Sequence, residues 1–160
     1  MLGDLSARYE SNGDPGCVSD GYGDPGGKSY GAYQFSSNAG SLQQFCNWLT
    51  YNYPQYAEQL TAYPLCSVSF DEAWKNIAAN DYDGFLGAQY EYTKEIYYDR
   101  ACEVLGDAGW HIEKHAEIMQ DVVWSRAVQY GVGNILDMWT DAVHSMYNVE
   151  DGTYVGYPNL

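Results

Sequence analysis

Residues 13–35 read Gly-Asp-Pro-Gly-Cys-Val-Ser-Asp-Gly-Tyr-Gly-Asp-Pro-Gly-Gly-Lys-Ser-Tyr-Gly-Ala-Tyr-Gln-Phe, and this stretch interrupts an otherwise helical pattern. The tetrapeptide Gly-Asp-Pro-Gly occurs in it twice, at 13–16 and 23–26. Because proline fixes φ and glycine accepts positive φ, each copy favours a tight turn. The stretch therefore predicts an irregular loop or a short hairpin that ends at residues 29–35.

Helical periodicity lies on both sides of this loop. Leu2, Leu5 and Tyr9 predict a short helix over 2–11 that ends at Asn12 and Gly13. Beyond residue 38, apolar residues recur at helical spacing in six further segments. We predict helices over 39–52, 54–61, 70–79, 84–105, 111–130 and about 134–147.

The segment at 70–79 also carries a start signal, because Ser69 and Glu72 have the spacing of a capping box. Residues 148–160 contain Gly, Pro and Tyr and predict an irregular tail. No linker-like stretch divides the chain. We therefore predict one mostly α domain, with a turn-rich lobe at 12–37 and a helical lobe at 38–147.

Composition excludes several classes of protein. Seven Lys and Arg against 22 Asp and Glu give 160 residues a net charge of −15, which repels phosphate backbones and argues against nucleic-acid binding. No run approaches the roughly 18 apolar residues of a membrane span. Residues 1–20 lack the features of a secretory signal, so we expect synthesis in a cytoplasm without a leader peptide.

Cysteine and histidine give weak signals. The four cysteines are far apart and form no Cys-x-x-Cys pair, so reduced thiols are expected, with one or two bridges left open for an extracellular protein. Cys17 lies in the turn-rich loop, without a local signature of a cysteine hydrolase. His111 and His115 are four residues apart, but no third ligand follows from the sequence. We expect no metal and no cofactor.

Tyrosine is the unusual residue, at 17 of 160. Its ring offers an apolar face and its hydroxyl a hydrogen bond, which suits a packed core and equally suits sugar rings. The tyrosines within the first 35 residues favour binding to sugar rings more than the remaining tyrosines do.

Glu10 is the first candidate for chemistry. It lies at the predicted C-terminal end of the first helix, where the helix dipole does not stabilise negative charge. Such a position favours a raised pKa, which suits a general acid that protonates a leaving oxygen.

Three short motifs carry a resemblance to a known family. They are Glu10-Ser11, residues 29–35, and Ala-Val-Gln-Tyr-Gly-Val-Gly-Asn-Ile at 127–135. In order and spacing they resemble the lysozyme-like superfamily of peptidoglycan hydrolases, with the pattern of the lytic transglycosylases and the phage-type lysozymes. The resemblance covers residues 5–37 and 120–136, and it implies an α+β lysozyme-like fold.

The resemblance also implies roles for residues. Glu10 would be the general acid. The segment Gly31, Ala32, Tyr33 and Gln34 would line the cleft opposite it. The substrate-binding residues implied in this way are Ser29, Tyr30, Gly31, Tyr33, Gln34 and Gln129.

A phage-type lysozyme needs a second carboxylate, about ten residues after the acid. Asp20 fits the distance from Glu10, and Asp24 fits the spacing to Ser29 better. A simple turn role explains Asp14 fully and Asp20 least well. A lytic transglycosylase would need Glu10 alone, because a hydroxyl of the substrate attacks in place of water.

The resulting functional prediction is cleavage of the β-1,4 bond between N-acetylmuramic acid and N-acetylglucosamine in a peptidoglycan glycan strand. The expected setting is a phage lysis enzyme, or a module of a phage tail or secretion machine, that acts on the cell wall after release or delivery. Three alternatives stay open: lytic transglycosylase chemistry, a chitosanase or chitinase activity, and a non-catalytic glycan-binding module.

Overall fold

A computed structural model of the chain describes residues 12–145. These residues form two compact units, 12–92 and 93–145. The predicted helix over 2–11, the candidate acid Glu10 and the predicted tail at 148–160 lie outside the described residues. The boundary between the units, at residues 92 and 93, falls within the segment predicted as the helical lobe.

The first unit opens with the glycine-rich loop, which leads into a small hairpin. Strands β1 (Ser29–Tyr30) and β2 (Phe35–Ser36) are antiparallel, and Ser29 lies opposite Ser36. An isolated bridge joins Val18 to Tyr30. The two Asp-Pro-Gly turns therefore end in a hairpin, as the turn chemistry predicts.

Four helices complete the first unit: α1 (Ser41–Asn52), α2 (Pro54–Thr61), α3 (Val68–Asn80) and α4 (Tyr82–Thr93). Pro54 occupies the first turn of α2, where its missing N–H costs no helical hydrogen bond. The N-cap of α3 is Ser67, whose hydroxyl accepts a hydrogen bond from the backbone N–H of Phe70. The predicted capping box of Ser69 and Glu72 is therefore wrong, because the helix starts two residues earlier.

The second unit contains α5 (Arg100–Asp107), α6 (Glu117–Tyr130) and α7 (Ile135–Ser145). A π-helical turn at Lys94–Asp99 precedes α5, so the predicted helix at 84–105 is divided by a wider turn. The 3-10 turns Ile112–Lys114 and Val132–Asn134 precede α6 and α7. The predicted helix at 111–130 thus begins at Glu117.

The core of the first unit is aromatic. Phe45 on α1 stacks on Phe35 with ring centres 4.5 Å apart, and Trp74 on α3 meets Phe85 on α4 edge to face at 4.9 Å. All four side chains are buried. Aromatic pairs in these geometries add about 0.5–1.5 kcal/mol each beyond the burial of their area. The hairpin is therefore joined to the helices through a continuous apolar core.

The second unit has its own core around Trp124 of α6, which is fully buried with the Tyr98 ring 5.6 Å away. The prediction of a mostly α protein is confirmed, since the described strands are only two residues long each. No helix within residues 12–145 is long and apolar enough to cross a membrane.

Candidate functional site

The glycine-rich loop is fixed to the helices by one buried side chain. Gln89 of α4 is fully buried, and its Oε1 accepts a hydrogen bond from the N–H of Ala32 at 2.8 Å. Its Nε2 donates to the carbonyl of Pro15 at 3.0 Å, and the indole N–H of Trp74 donates to the same carbonyl at 2.8 Å. The two ends of the loop are thus held by a single amide.

The contact between Gln89 and the loop requires a glycine at position 31. Its φ is +77°, a region that favours glycine, and a Cβ there would lie 2.4 Å from Oε1 of Gln89. Its N–H donates to the carbonyl of Cys17 at 2.8 Å. The space that a side chain at position 31 would fill is therefore occupied by the amide of Gln89.

Gln34 closes the tip of the hairpin. It is a non-glycine residue with φ of 53°, and its Nε2 donates to the carbonyl of Gly31 at 2.9 Å. The same nitrogen lies 3.7 Å from the sulfur of Cys17. Gln34 remains half-buried, so part of its amide faces solvent while the remainder stabilises the turn.

A second polar cluster joins the hairpin to α3. The carboxylate of Asp71 accepts a hydrogen bond from the hydroxyl of Tyr30 at 2.5 Å and pairs with the ammonium of Lys28 at 2.5 Å. The ammonium also donates to the carbonyl of Cys66 at 3.2 Å. The lysine neutralises the carboxylate that the tyrosine binds, so the cluster carries no net charge.

Burial is the main cause of two raised pKa values in this unit. The pKa of Tyr30 lies far above its ordinary value, first because the ring is buried and second because its hydroxyl bonds to Asp71. Burial likewise raises the pKa of the Cys46 thiol to about 12. Both groups therefore stay neutral at physiological pH and act as packing and hydrogen-bonding groups.

Both candidate second carboxylates have turn roles. Oδ1 of Asp20 accepts a hydrogen bond from the N–H of Tyr22 at 3.0 Å, and Oδ1 of Asp24 accepts one from Gly26 at 2.8 Å. Asp14 bonds to Gly16 in the same way at 2.8 Å. All three are exposed Asx turns, and turn formation explains Asp20 as directly as the other two.

The remaining predicted substrate-binding residues occupy different environments. Ser29 is buried, and its N–H donates to the hydroxyl of Ser19 at 2.8 Å. Tyr33 is 5% exposed, and Tyr30 is fully buried with its ring against Phe70 and Trp74. Gln129 is exposed on α6 of the second unit. Residues 29–34 thus lie together in the hairpin, where most of their side chains pack in the interior.

No group of three or more His, Cys, Asp and Glu that could hold a metal occurs within residues 12–145. His111 lies 3.8 Å from Glu113, and the ring of His115 packs against Trp139 instead. The described part of the site therefore offers hydrogen bonding and a rigid loop. Glu10, the predicted general acid, lies outside the described residues.

Sequence reasoning missed Gln89 and Asp71, the two residues that organise the hairpin. Gln89 falls on the apolar stripe of Phe85, Ala88 and Tyr92, where a polar side chain indicates a buried hydrogen-bonding role. That signal was present in the sequence. Asp71 follows Phe70 without any distinguishing pattern, and only the packing of the hairpin on α3 identifies it.

Comparison with known proteins places this hairpin-and-helix domain in a secretion-related class. A family model described as "Type VI secretion system spike protein VgrG3-like, C-terminal" matches residues 2–153. The type VI secretion system spike protein VgrG3 of Vibrio cholerae serotype O1 is 34% identical over 131 residues, which is 81% of this chain and 12% of that protein. The chain belongs to the VgrG3-like C-terminal family, and it spans only a small part of the curated relative it matches.

This membership corrects two predictions. The assignment to the lysozyme-like superfamily is wrong, and so is the prediction of a phage lysis enzyme, because the family is one of secretion spike proteins. The motifs misled for a physical reason. Tyr30, Gly31 and Gln34 are each required by contacts inside the domain, so their presence does not depend on a sugar in a cleft.

Proposed function

We propose that this chain is a module carried by a type VI secretion spike and that it acts after the spike has delivered it. The observation that carries the proposal is the position of the match. The chain resembles 12% of the Vibrio cholerae spike protein, and the family is defined as the C-terminal part of such proteins. A compact segment at the end of a spike is suited to transport as cargo.

The activity that we propose for the module is that of a glycoside hydrolase acting on a glycan strand of peptidoglycan. Glu10 would supply the proton to the leaving oxygen. The loop that follows Glu10 in sequence is held at Pro15, whose carbonyl accepts hydrogen bonds from Gln89 and Trp74. The chain five residues after Glu10 therefore has a defined position on the helices. Catalysis needs this kind of fixed geometry around an acid.

The half-buried amide of Gln34 supports the same proposal. It offers donor and acceptor groups at the tip of a hairpin that is held by the buried Gln89 and by the part-buried cluster around Asp71. The exposed aromatic Tyr22, with 95% of its surface accessible, lies on the turn between Asp20 and Asp24 and offers a ring face to a sugar. The place of action would be the cell wall reached after delivery.

Digestion of purified peptidoglycan tests the enzymatic part. We expect the chain to release soluble fragments, and mass spectrometry to identify new reducing sugar ends. Glu10→Gln should reduce release at least 100-fold while leaving the folded state intact. Glu58→Gln, which changes an exposed glutamate on α2, is the matched control and should release fragments normally.

Equal release by the Glu10→Gln variant would remove that residue as the acid. Release of peptides instead of sugars would contradict glycoside hydrolysis. Delivery is tested separately, by following an epitope-tagged spike in the culture medium of strains with and without a functional secretion sheath. Equal amounts in both media would overturn the spike part of the proposal.

A further inference from the structure

A groove of about 300 Å³ lies between the C-terminal end of α2 and the outer face of α3. Its polar lining consists of Gln59, Tyr63, Ser69, Glu72 and Asn76. None of these residues belongs to the hairpin or to its two anchoring clusters. The groove is therefore a separate feature of the first unit.

Helical spacing explains why α3 presents this lining. Ser69, Glu72 and Asn76 recur at intervals of three and four residues, so they share one face of the helix. Phe70 and Trp74 lie on the opposite, buried face. The polar stripe is thus held in place by the packing of its own helix.

The lining groups have their hydrogen-bonding capacity open to a ligand. Within residues 12–145, the side chains of Tyr63, Ser69, Glu72 and Asn76 make no hydrogen bond or ion pair. Gln59 uses its Nε2 to donate to the carbonyl of Gln55 at 2.9 Å. Tyr63 is 44% exposed, which leaves part of its ring accessible beside these polar groups.

We propose that this groove is a binding subsite for a neutral, N-acetylated oligosaccharide. An aromatic ring beside amide and hydroxyl groups matches a sugar, which has an apolar ring face and a rim of hydroxyls. The amides of Gln59 and Asn76 offer both donor and acceptor, as an acetamido group requires. The volume is at the lower end for small-molecule sites and suits one or two sugar rings.

The negative charge of the lining and of the whole chain restricts the class of ligand further. Glu72 is the sole ionisable carboxylate of the lining, and the chain as a whole carries −15. An anionic polymer would be repelled by both. A neutral sugar avoids this cost and can donate a hydroxyl hydrogen bond to the carboxylate. The subsite would hold a glycan strand by a surface that takes no part in bond cleavage.

Calorimetric titration with N-acetylglucosamine tetramer tests the subsite. We expect saturable binding that Tyr63→Ala and Asn76→Ala each weaken at least tenfold. Tyr51→Ala removes an 87% exposed tyrosine from α1 and should leave the affinity unchanged. Cellotetraose, which is neutral and carries hydroxyls in place of the acetamido groups, should bind at least tenfold more weakly. Amide chemical shifts should move at residues 59–76 in a parallel titration.

Absence of saturable binding, equal affinity of the Tyr63→Ala variant, or shifts confined to other residues would overturn the inference. Equal affinity for cellotetraose would also overturn it, because the acetamido group would then play no part. The result is distinguishable from failure of the proposed function. If the chain binds the tetramer through Tyr63 but cleaves no peptidoglycan, the hydrolase is disproved and the subsite is retained. If it cleaves peptidoglycan but does not bind the tetramer, the subsite is disproved and the hydrolase is retained.

Discussion

The side-chain oxygen of Gln89 accepts a hydrogen bond from the backbone N–H of Ala32 at 2.8 Å, 57 residues away in sequence. Both groups are buried, and the amide nitrogen of the same side chain holds Pro15. The glycine-rich loop, which has little regular structure of its own, thereby acquires a defined position on the helices.

Replacing Gln89 with leucine removes its buried hydrogen bonds to the N–H of Ala32 and the carbonyl of Pro15. We expect the free energy of unfolding to fall by about 2–4 kcal/mol, since buried unsatisfied groups cost about 1–3 kcal/mol each. Urea unfolding followed by tryptophan fluorescence measures the change. Gln44→Leu, at an exposed position of α1, should shift stability by less than about 0.5 kcal/mol. A similar effect of both substitutions would contradict the anchoring role.

Gly31→Ala should destabilise the fold more than Gly23→Ala. Both positions have positive φ, but a Cβ at Gly23 meets nothing within 4 Å, whereas one at Gly31 meets the amide of Gln89. Gly23→Ala should cost about 1–2 kcal/mol from the backbone alone. Gly31→Ala should cost at least about 1 kcal/mol more than Gly23→Ala. In the double variant with Gln89→Ala, this additional cost should disappear, because the new Cβ no longer meets the amide. Additive costs would show that the two residues do not conflict.

Stability should fall at alkaline pH in a way that depends on Cys46. The folded thiol keeps its proton up to about pH 12, while in the unfolded chain its pKa is near 9.0. Because the pKa of the thiol is higher in the folded state, its contribution to the free energy of unfolding is complete below pH 9. That contribution is lost as the pH rises towards 12, since the unfolded state then releases the proton. Urea unfolding at pH 8 and pH 11 should show a smaller loss for Cys46→Ala than for the unsubstituted chain. An equal loss would exclude the thiol as a cause.

Ser67→Ala should lower the free energy of unfolding by about 1 kcal/mol, because it removes the N-cap bond to Phe70. Ser69→Ala tests the alternative start of the helix and should change stability by less than about 0.5 kcal/mol, since that hydroxyl caps nothing. Thermal melting of both variants measures the difference. A larger effect at Ser69 would restore the capping box that the sequence suggested.

Local patterns predicted much of the secondary structure. The Pro54 start of α2 and the stripe of Leu42, Phe45 and Leu49 follow from rules that act over a few residues. The π-helical turn at Lys94–Asp99 did not follow from them, because widening a helix by one residue leaves little trace in apolar spacing. The resemblance failed for a related reason, since short motifs record turn and packing needs as readily as chemistry.

By itself the sequence determined the helical class, the position of the turns and the acidic surface, because each depends on neighbouring residues or on totals. The tertiary structure alone decided that Gln89 supports the loop, that Tyr30 binds Asp71 and lies in the core, and that a polar groove opens beside Tyr63. The first two relationships join residues 57 and 41 positions apart, and only the packing of helices against the hairpin brings these groups within hydrogen-bonding distance. The groove exists because α2 packs beside α3.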